Sequence, residues 1–190
     1  MIVHQIFPTV VMEFDLSHVA NGIKESLDDI SLDFHGNHDR VENGTSSFFI
    51  DNDILRLPDF TDLKKEFQSC VDAYTRELRL EDAVISNTWF NKMTFGSKTT
   101  AHRHPGSVCS GAFYPHAPDG SAGISFRNPL DAFRMNEVFY EPCMYNGTSF
   151  TLPSKENTLY LFPSWLEHET EYNHSQDRYV ISFNTNPKRG

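Results

Sequence analysis

Apolar residues recur three and four apart through "FTDLKKEFQSCVDAYTRELRL", at Phe60, Leu63, Phe67, Cys70, Val71, Tyr74 and Leu78. That spacing puts one apolar stripe on one face and predicts an amphipathic helix. Upstream, "IFPTVVMEFDL" reads as a first strand. Asp15 and Ser17 after it can start a helix through "HVANGIKESLDDI". Between the two helices "SLDFHGNHDRVENGTS" is polar and rich in Gly and Asn, hence a loop. From Val84 onward the period changes. Short β-prone pieces follow one another ("AVISNTWFNKMTF", "VCSGAFYPH", "AGISFRN", "TSFTLP", "TLYLFPSW", "HETEYN", "RYVISFNTN"), separated by turn signals such as "GS", "PDGS", "NP" and "NG". Strands with no helix between them predict a mainly β protein, an antiparallel sandwich or jelly roll. The helical elements, mainly 17–80, would pack on one face of a β core at about 84–186. A chain of 190 residues suits one such domain, 1–190.

Composition narrows the function. Apolar residues make up 38% and aromatics 13%, with 16 Phe, enough to fill a core. The net charge of -10, with no Lys/Arg cluster, opposes binding to a nucleic-acid backbone. A small anion in a locally positive pocket is still compatible with that charge. The three cysteines, Cys70, Cys109 and Cys143, show no CxxC spacing and read as thiols in a reducing compartment. The start of the chain lacks the pattern of a signal peptide, and no apolar run reaches membrane-spanning length. The expectation is a cytoplasmic protein with no membrane partner. The sequons at Asn43, Asn146 and Asn173 then carry little meaning. Nothing in the pattern speaks to oligomeric state.

The candidate chemistry lies in the β-rich half. His102 and His104 stand two apart in "TTAHRHPGSVCSGAFY", so on extended backbone their rings share a face. His168, in "FPSWLEHETEYN", comes much later, but a jelly roll makes early and late strands neighbours. Three imidazoles with open positions beside them suit a catalytic metal. Arg178 opens an alternating stretch in which Arg178, Val180, Ser182 and Asn184 face one way and Tyr179, Ile181 and Phe183 the other. A guanidinium turned into a barrel needs an anion, and its fork suits a carboxylate, with Ser182 as a second donor. A salt bridge to a nearby Asp or Glu is the ordinary alternative. The remaining histidines, His4, His18, His35, His38, His116 and His174, read as structural or surface residues.

The blocks "HRHPGSVCSGAFYPHAPDGSAGISFRNP" and "LYLFPSWLEHETEYNHSQDRYVISFN", in that order, resemble the 2-oxoglutarate- and iron(II)-dependent oxygenases of bacteria and phages. The opening "IFPTVVMEFDL" is similar too, whereas Ser31 to Leu57 contributes little. The resemblance implies a double-stranded β-helix with Fe(II) and the cosubstrate 2-oxoglutarate at its open end, acting as a hydroxylase-type enzyme. It places His102 at the first ligand, His168 at the distal histidine, and Arg178 at the far carboxylate of the cosubstrate. Tyr114 and Ser182 become co-binders of 2-oxoglutarate, and Asn91 and Trp165 candidates for the substrate pocket. Trp89, Phe113, Phe162 and Trp165 are aromatic residues available to exclude water, or else to fill the core.

One departure matters. Most of these oxygenases carry H-x-D, but here the second position holds His104. Three neutral imidazoles leave Fe(II) its full charge, so binding of the dianionic cosubstrate and of metal should be strongly coupled. Glu167 and Glu169 flank His168 but should point away from it; Asp119, Glu137 and Glu141 could supply a carboxylate instead. Two further readings use the same residues. One is a cupin-like three-histidine dioxygenase without 2-oxoglutarate, and the other a non-catalytic β-barrel that binds a ligand. The prime substrate, a small molecule or a peptide, is not encoded in composition. Its specificity should sit in loops 31–47 and 128–147.

Overall fold

A computed structural model describes residues 1–34, 41–134 and 140–188. The apolar stripe on residues 60–78 forms α2 (Thr61–Glu77), whose Leu63, Phe67, Cys70, Val71 and Tyr74 are buried. It shares a core with Phe90, Phe113, Leu161, Ile181 and Phe183, side chains from the outer face of a large sheet. The shorter α1 (Ile23–Asp28) adds Ile23 and Leu27 to the same core. Both helices therefore cover one face of the β structure.

That structure has ten strands among the described residues. They are β1 (Met12–Asp15), β2 (Asp33–Phe34), β3 (Val41–Ser46), β4 (Ala83–Thr99), β5 (Cys109–His116), β6 (Ile124–Arg127), β7 (Ser149–Leu152), β8 (Thr158–Pro163), β9 (His168–Thr170) and β10 (Arg178–Pro187). Seven form a sheet in the order β1-β8-β5-β10-β4-β3-β2, and three form a second sheet, β7-β6-β9. All the strand pairs within them are antiparallel. The last strand, β10, lies between β4 and β5, so residues early and late in the β region become neighbours. A second core of Ala112, Tyr114, Ile124, Phe126, Tyr160, Phe162, Leu166 and Val180 fills the space between the sheets. This is the double-stranded β-helix.

Alternation along β10 sorts its side chains between the two cores. Tyr179, Ile181 and Phe183 pack under the helices, and Val180 packs between the sheets. Close packing on the helix side requires Gly111. A Cβ there would lie 2.3 Å from the Phe183 ring, which itself stacks on Phe67 at 5.0 Å between centroids. Gly111→Ala is expected to destabilise the fold by about 1–3 kcal/mol, because a close-packed core cannot absorb the methyl. Urea denaturation measures this, and an unchanged midpoint would show that Phe183 moves aside freely.

The structure departs from the sequence pattern at four places. The first strand is only Met12–Asp15, with residues 1–9 exposed, because only this short stretch pairs with β8. The first helix starts at Ile23 rather than near Ser17. Asp15 Oδ1 accepts the Ser17 amide at 2.9 Å in a local turn, and Gly22 takes a left-handed φ of 78°. The polar segment 31–46 contributes β2 and β3 instead of a loop. The backbone of β3 is satisfied by pairing with β4, which overrides its poor strand propensity. Finally, β4 runs through the "GS" signal to Thr99, with Gly96 absorbing a φ of 78°. Among the described residues no helix is long and apolar enough to cross a membrane.

Candidate metal centre and binding cavity

His102 lies just after β4 and His168 begins β9. Their backbones form an isolated antiparallel bridge, each amide donating to the other's carbonyl at 3.0 Å. On its other side His168 pairs with Phe126 of β6. His104 stands outside any strand, held by its amide donating to Ser164 O at 2.9 Å. So the strand on which the H-x-H pair was expected to lie is reduced to a bridge, yet the rings still converge. Ring centroids are 4.9 Å apart for His102 and His104, 4.3 Å for His102 and His168, and 5.1 Å for His104 and His168. Their ligand atoms all lie within 4.8 Å of one another.

Two of the rings are oriented for metal binding. His102 Nδ1 is 2.7 Å from Thr100 O, and His168 Nδ1 is 2.9 Å from Leu166 O. A carbonyl can only accept, so each Nδ1 carries the proton and each Nε2 keeps its lone pair for an ion. Phe162 lies against His168 with centroids 4.6 Å apart, and Trp89 against His104 at 5.9 Å. The donor set therefore fits a first-row transition metal, with nitrogen donors only. The described carboxylates near it are committed elsewhere. Glu169 bonds Arg127 at 2.9 and 3.2 Å, and Glu167 pairs with Arg103 and Arg127, each at 3.7 Å. Asp119 and Glu141 are exposed, and Glu137 lies outside the described residues. Among those residues the metal-ligating group is histidine alone.

Arg178 is 2% exposed, and no carboxylate pairs with it among the described residues. Its Nε donates to Ser154 Oγ at 3.1 Å, and its guanidinium carbon lies 5.0 Å from the Tyr114 ring centre. Burial pulls the guanidinium below the ordinary arginine range, while Tyr114 beside it works the other way. Burial also pushes the Tyr114 phenol up, against the pull of Arg178 and Ser154. Tyr114 thus keeps its proton and can donate it in a hydrogen bond. The salt bridge offered as the ordinary explanation of Arg178 is absent among the described residues.

One cavity of about 380 Å³ is lined by His102, His104, His168, Arg178, Tyr114, Ser182 and Asn91 together. Trp89 and Phe162 line it as well. Trp165 does not. It is 55% exposed and lines a separate surface groove with Arg103 and Arg127, because the turn after β8 carries it outward. Phe113 is also outside the cavity, in the core under the helices. Ser154, which holds Arg178, was invisible in the sequence, since a lone serine in "PSKEN" carries no pattern. Phe48 and Phe49 line the cavity from a segment that read as the edge of a polar loop. Of the histidines set aside, His18 faces Glu66 and His116 faces Glu156, both at 3.6 Å. His4 and His174 are exposed, and His35 and His38 lie outside the described residues.

A family model described as "Putative 2OG-Fe(II) oxygenase" matches residues 87–184. No curated protein sequence matches the chain. Among solved structures, HygX from Streptomyces hygroscopicus, with nickel and 2-oxoglutarate bound, is similar with a TM-score of 0.63 and 11% identity, covering 95% of this chain and 84% of that one. A Pseudomonas putida prolyl-4-hydroxylase gives 0.67 and 10% identity, covering 96% and 94%. A prolyl hydroxylase from Trichoplax adhaerens, in complex with a hypoxia inducible factor peptide fragment, gives 0.61 and 13%, covering 94% and 84%. At such identities these likenesses bear on the fold, and the fold they share is the double-stranded β-helix. The family match goes further, since it spans more than half of the chain and takes in the three histidines and Arg178. On that ground the chain belongs to the 2OG-Fe(II) oxygenases, enzymes that use non-haem iron(II) and 2-oxoglutarate.

Proposed function

We propose that His102, His104 and His168 hold the iron(II) of this oxygenase. Arg178, with Tyr114 and Ser182, binds the far carboxylate of 2-oxoglutarate, and Asn91 faces the prime substrate. One observation carries the reading: a fully buried guanidinium with no described carboxylate partner shares a cavity with three converging imidazoles. Leaving such a cation unpaired is unfavourable by several kcal/mol in general terms, roughly what a bidentate carboxylate offsets.

The chemistry supplied by bound iron(II) and 2-oxoglutarate is oxidation of a substrate C–H bond by dioxygen, coupled to decarboxylation of the cosubstrate to succinate. The chain's own residues do the rest. Ser154 takes up the Nε donor of Arg178 and Tyr114 bonds the same guanidinium, which steadies the fork that meets the carboxylate. Tyr114, kept neutral by burial, adds a hydroxyl donor. Carbonyls of Thr100 and Leu166 fix the proton on Nδ1 of His102 and His168. Phe162, Trp89 and Val180 keep the cavity apolar between these polar points.

The reading also takes the chain as one cytoplasmic domain, 1–190, acting on a small molecule or a peptide rather than nucleic acid or membrane. The net charge of -10 supports the choice of partner. The three cysteines are free. Burial pushes the Cys70 thiol up to about 12 and Cys109 up to about 11, so both are inert core residues.

Titrating 2-oxoglutarate into the anaerobic iron(II)-loaded protein tests the reading. A visible charge-transfer band that saturates with one equivalent is expected; a colourless titration would overturn it. Ser154→Ala should weaken 2-oxoglutarate binding by about fivefold, the worth of one hydrogen bond of about 1 kcal/mol. Calorimetry on the zinc-loaded protein reads this, and an unaltered affinity would remove Ser154 from the site.

A further inference from the structure

In the reading above, the wall of the cavity made by β3 and β4 has no part in holding metal or cosubstrate. It is built as a chain of rings that meet edge to face or tilted. Phe49 meets Phe48 at 4.9 Å, Phe48 meets Trp89 at 5.1 Å, and Trp89 meets His104 at 5.9 Å, centroid to centroid. Phe48 is tied in place, its amide donating to Ser46 Oγ at 3.2 Å, while Ser47 and Phe90 bond each other at 2.9 and 3.1 Å. Aromatic rings thus run from the exposed Phe49 to the imidazole cluster.

Asn91 follows Trp89 on the same face of β4 and lines the same cavity. Its neighbours across the sheet are Val180 and Ser46. The Oδ1 of Asn91 is buried and has no hydrogen-bond partner among the described residues. Buried polar atoms in folded proteins are almost always paired, so a lone acceptor on a cavity wall marks where a donor of a bound molecule would fit. A carboxamide offers an acceptor and two donors side by side, and these can be exchanged by turning the group over. A carboxylate could answer only the donors, and an ammonium only the acceptor. Either ion would also lack a counter-charge on this wall. Glu169, the lining residue with an acidic side chain, is engaged by Arg127, and the reading above assigns Arg178 to the cosubstrate. What answers the Oδ1 acceptor without charge is a neutral N–H or O–H donor, and an amide adds a rigid, coplanar C=O that can accept from the Nδ2 side as well, which a freely rotating hydroxyl does not fix.

We propose that the prime substrate carries an amide, N–H beside C=O, read by Asn91, with an apolar group seated against Trp89 and Phe48. This rests on the oxygenase reading above and adds the substrate class to it. The cavity selects an uncharged amide flanked by hydrocarbon, and places that hydrocarbon on the row of rings leading to His104.

The probes are N-methyl-4-methylpentanamide and methyl 4-methylpentanoate, which share a skeleton and differ in one N–H replaced by oxygen. Protein carrying Trp165→Phe leaves Trp89 as its one indole. It is loaded with redox-silent zinc(II) and 2-oxoglutarate, and Trp89 fluorescence follows each titration. The amide is expected to bind at least about tenfold more tightly than the ester. That ratio should fall to near one in Asn91→Leu, which keeps the size and removes the amide. Equal binding of the two probes, binding of neither, or a ratio that survives in Asn91→Leu would each overturn the proposal. If Asn91→Leu instead loses affinity for 2-oxoglutarate, Asn91 serves the cosubstrate and the proposal falls as well. Failure of the oxygenase reading shows separately, as no binding of 2-oxoglutarate to the zinc-loaded parent before any probe is added.

Discussion

Arg178→Ala is expected to lower 2-oxoglutarate-dependent succinate formation by at least about a hundredfold, with metal content essentially that of the unaltered protein. The size follows from the setting. Truncating one partner of a buried, hydrogen-bonded charge pair removes about 2–5 kcal/mol, or some thirtyfold to several thousandfold in affinity. Arg178 is 2% exposed, so water cannot replace the lost contacts with the cosubstrate. The metal should stay, because carbonyls of Thr100 and Leu166 hold the rings of His102 and His168, and Ser164 O holds the backbone of His104. Stability of the protein without cosubstrate should not fall, since the substitution relieves a desolvated cation that no described acid neutralises. Metal analysis, succinate assay and thermal melting on one preparation separate the three quantities. Turnover that survives the substitution would show that the carboxylate is bound elsewhere.

The second large effect concerns His104. His104→Ala should empty much of the iron site, whereas His18→Ala should leave it full. His18 has a 60% exposed side chain against Glu66 and is remote from the cavity lining. Removing one of three nitrogen donors lowers both the enthalpy of binding and the geometric fit. His104→Asp distinguishes ligation from support. It creates the two-histidine, one-carboxylate set that suits non-haem iron(II). It should restore iron binding, and weaken the coupling between metal and 2-oxoglutarate, because one negative charge then already sits on the ion. In the unaltered protein 2-oxoglutarate should tighten metal binding more than it does in His104→Asp. Equal iron occupancy in His104→Ala and His18→Ala would make His104 a supporting residue rather than a ligand.

Much of the β core could be read from the chain because β-helix strands carry a strict period of two. The alternation at Arg178, Val180, Ser182 and Asn184 assigns those side chains to the interior, and the cavity lining includes all four. The long helix was equally plain, since the stripe from Leu63 to Tyr74 is what packs on the sheet. What could not be read depends on tertiary partners. The strand β3 is polar and holds Asn43 at a φ of 54°, so it becomes a strand only because β4 offers an edge to pair with. Trp165, expected in the substrate pocket, lies outside it because a turn intervenes before His168 and reverses its direction. Ser154 and the Phe48–Phe49 wall escaped because their roles rest on contacts with Arg178 and Trp89, far away in sequence. Of the loops expected to set specificity, residues 35–40 and 135–139 lie outside the described residues.

A crystal structure of the protein grown with metal and 2-oxoglutarate tests the central claim most directly. One ion should be found on Nε2 of both His102 and His168 and on a ring nitrogen of His104. The far carboxylate of the diacid should lie on the Nη groups of Arg178, beside the Tyr114 hydroxyl. An ion bound away from these rings, or a diacid whose free end avoids Arg178, would contradict the account.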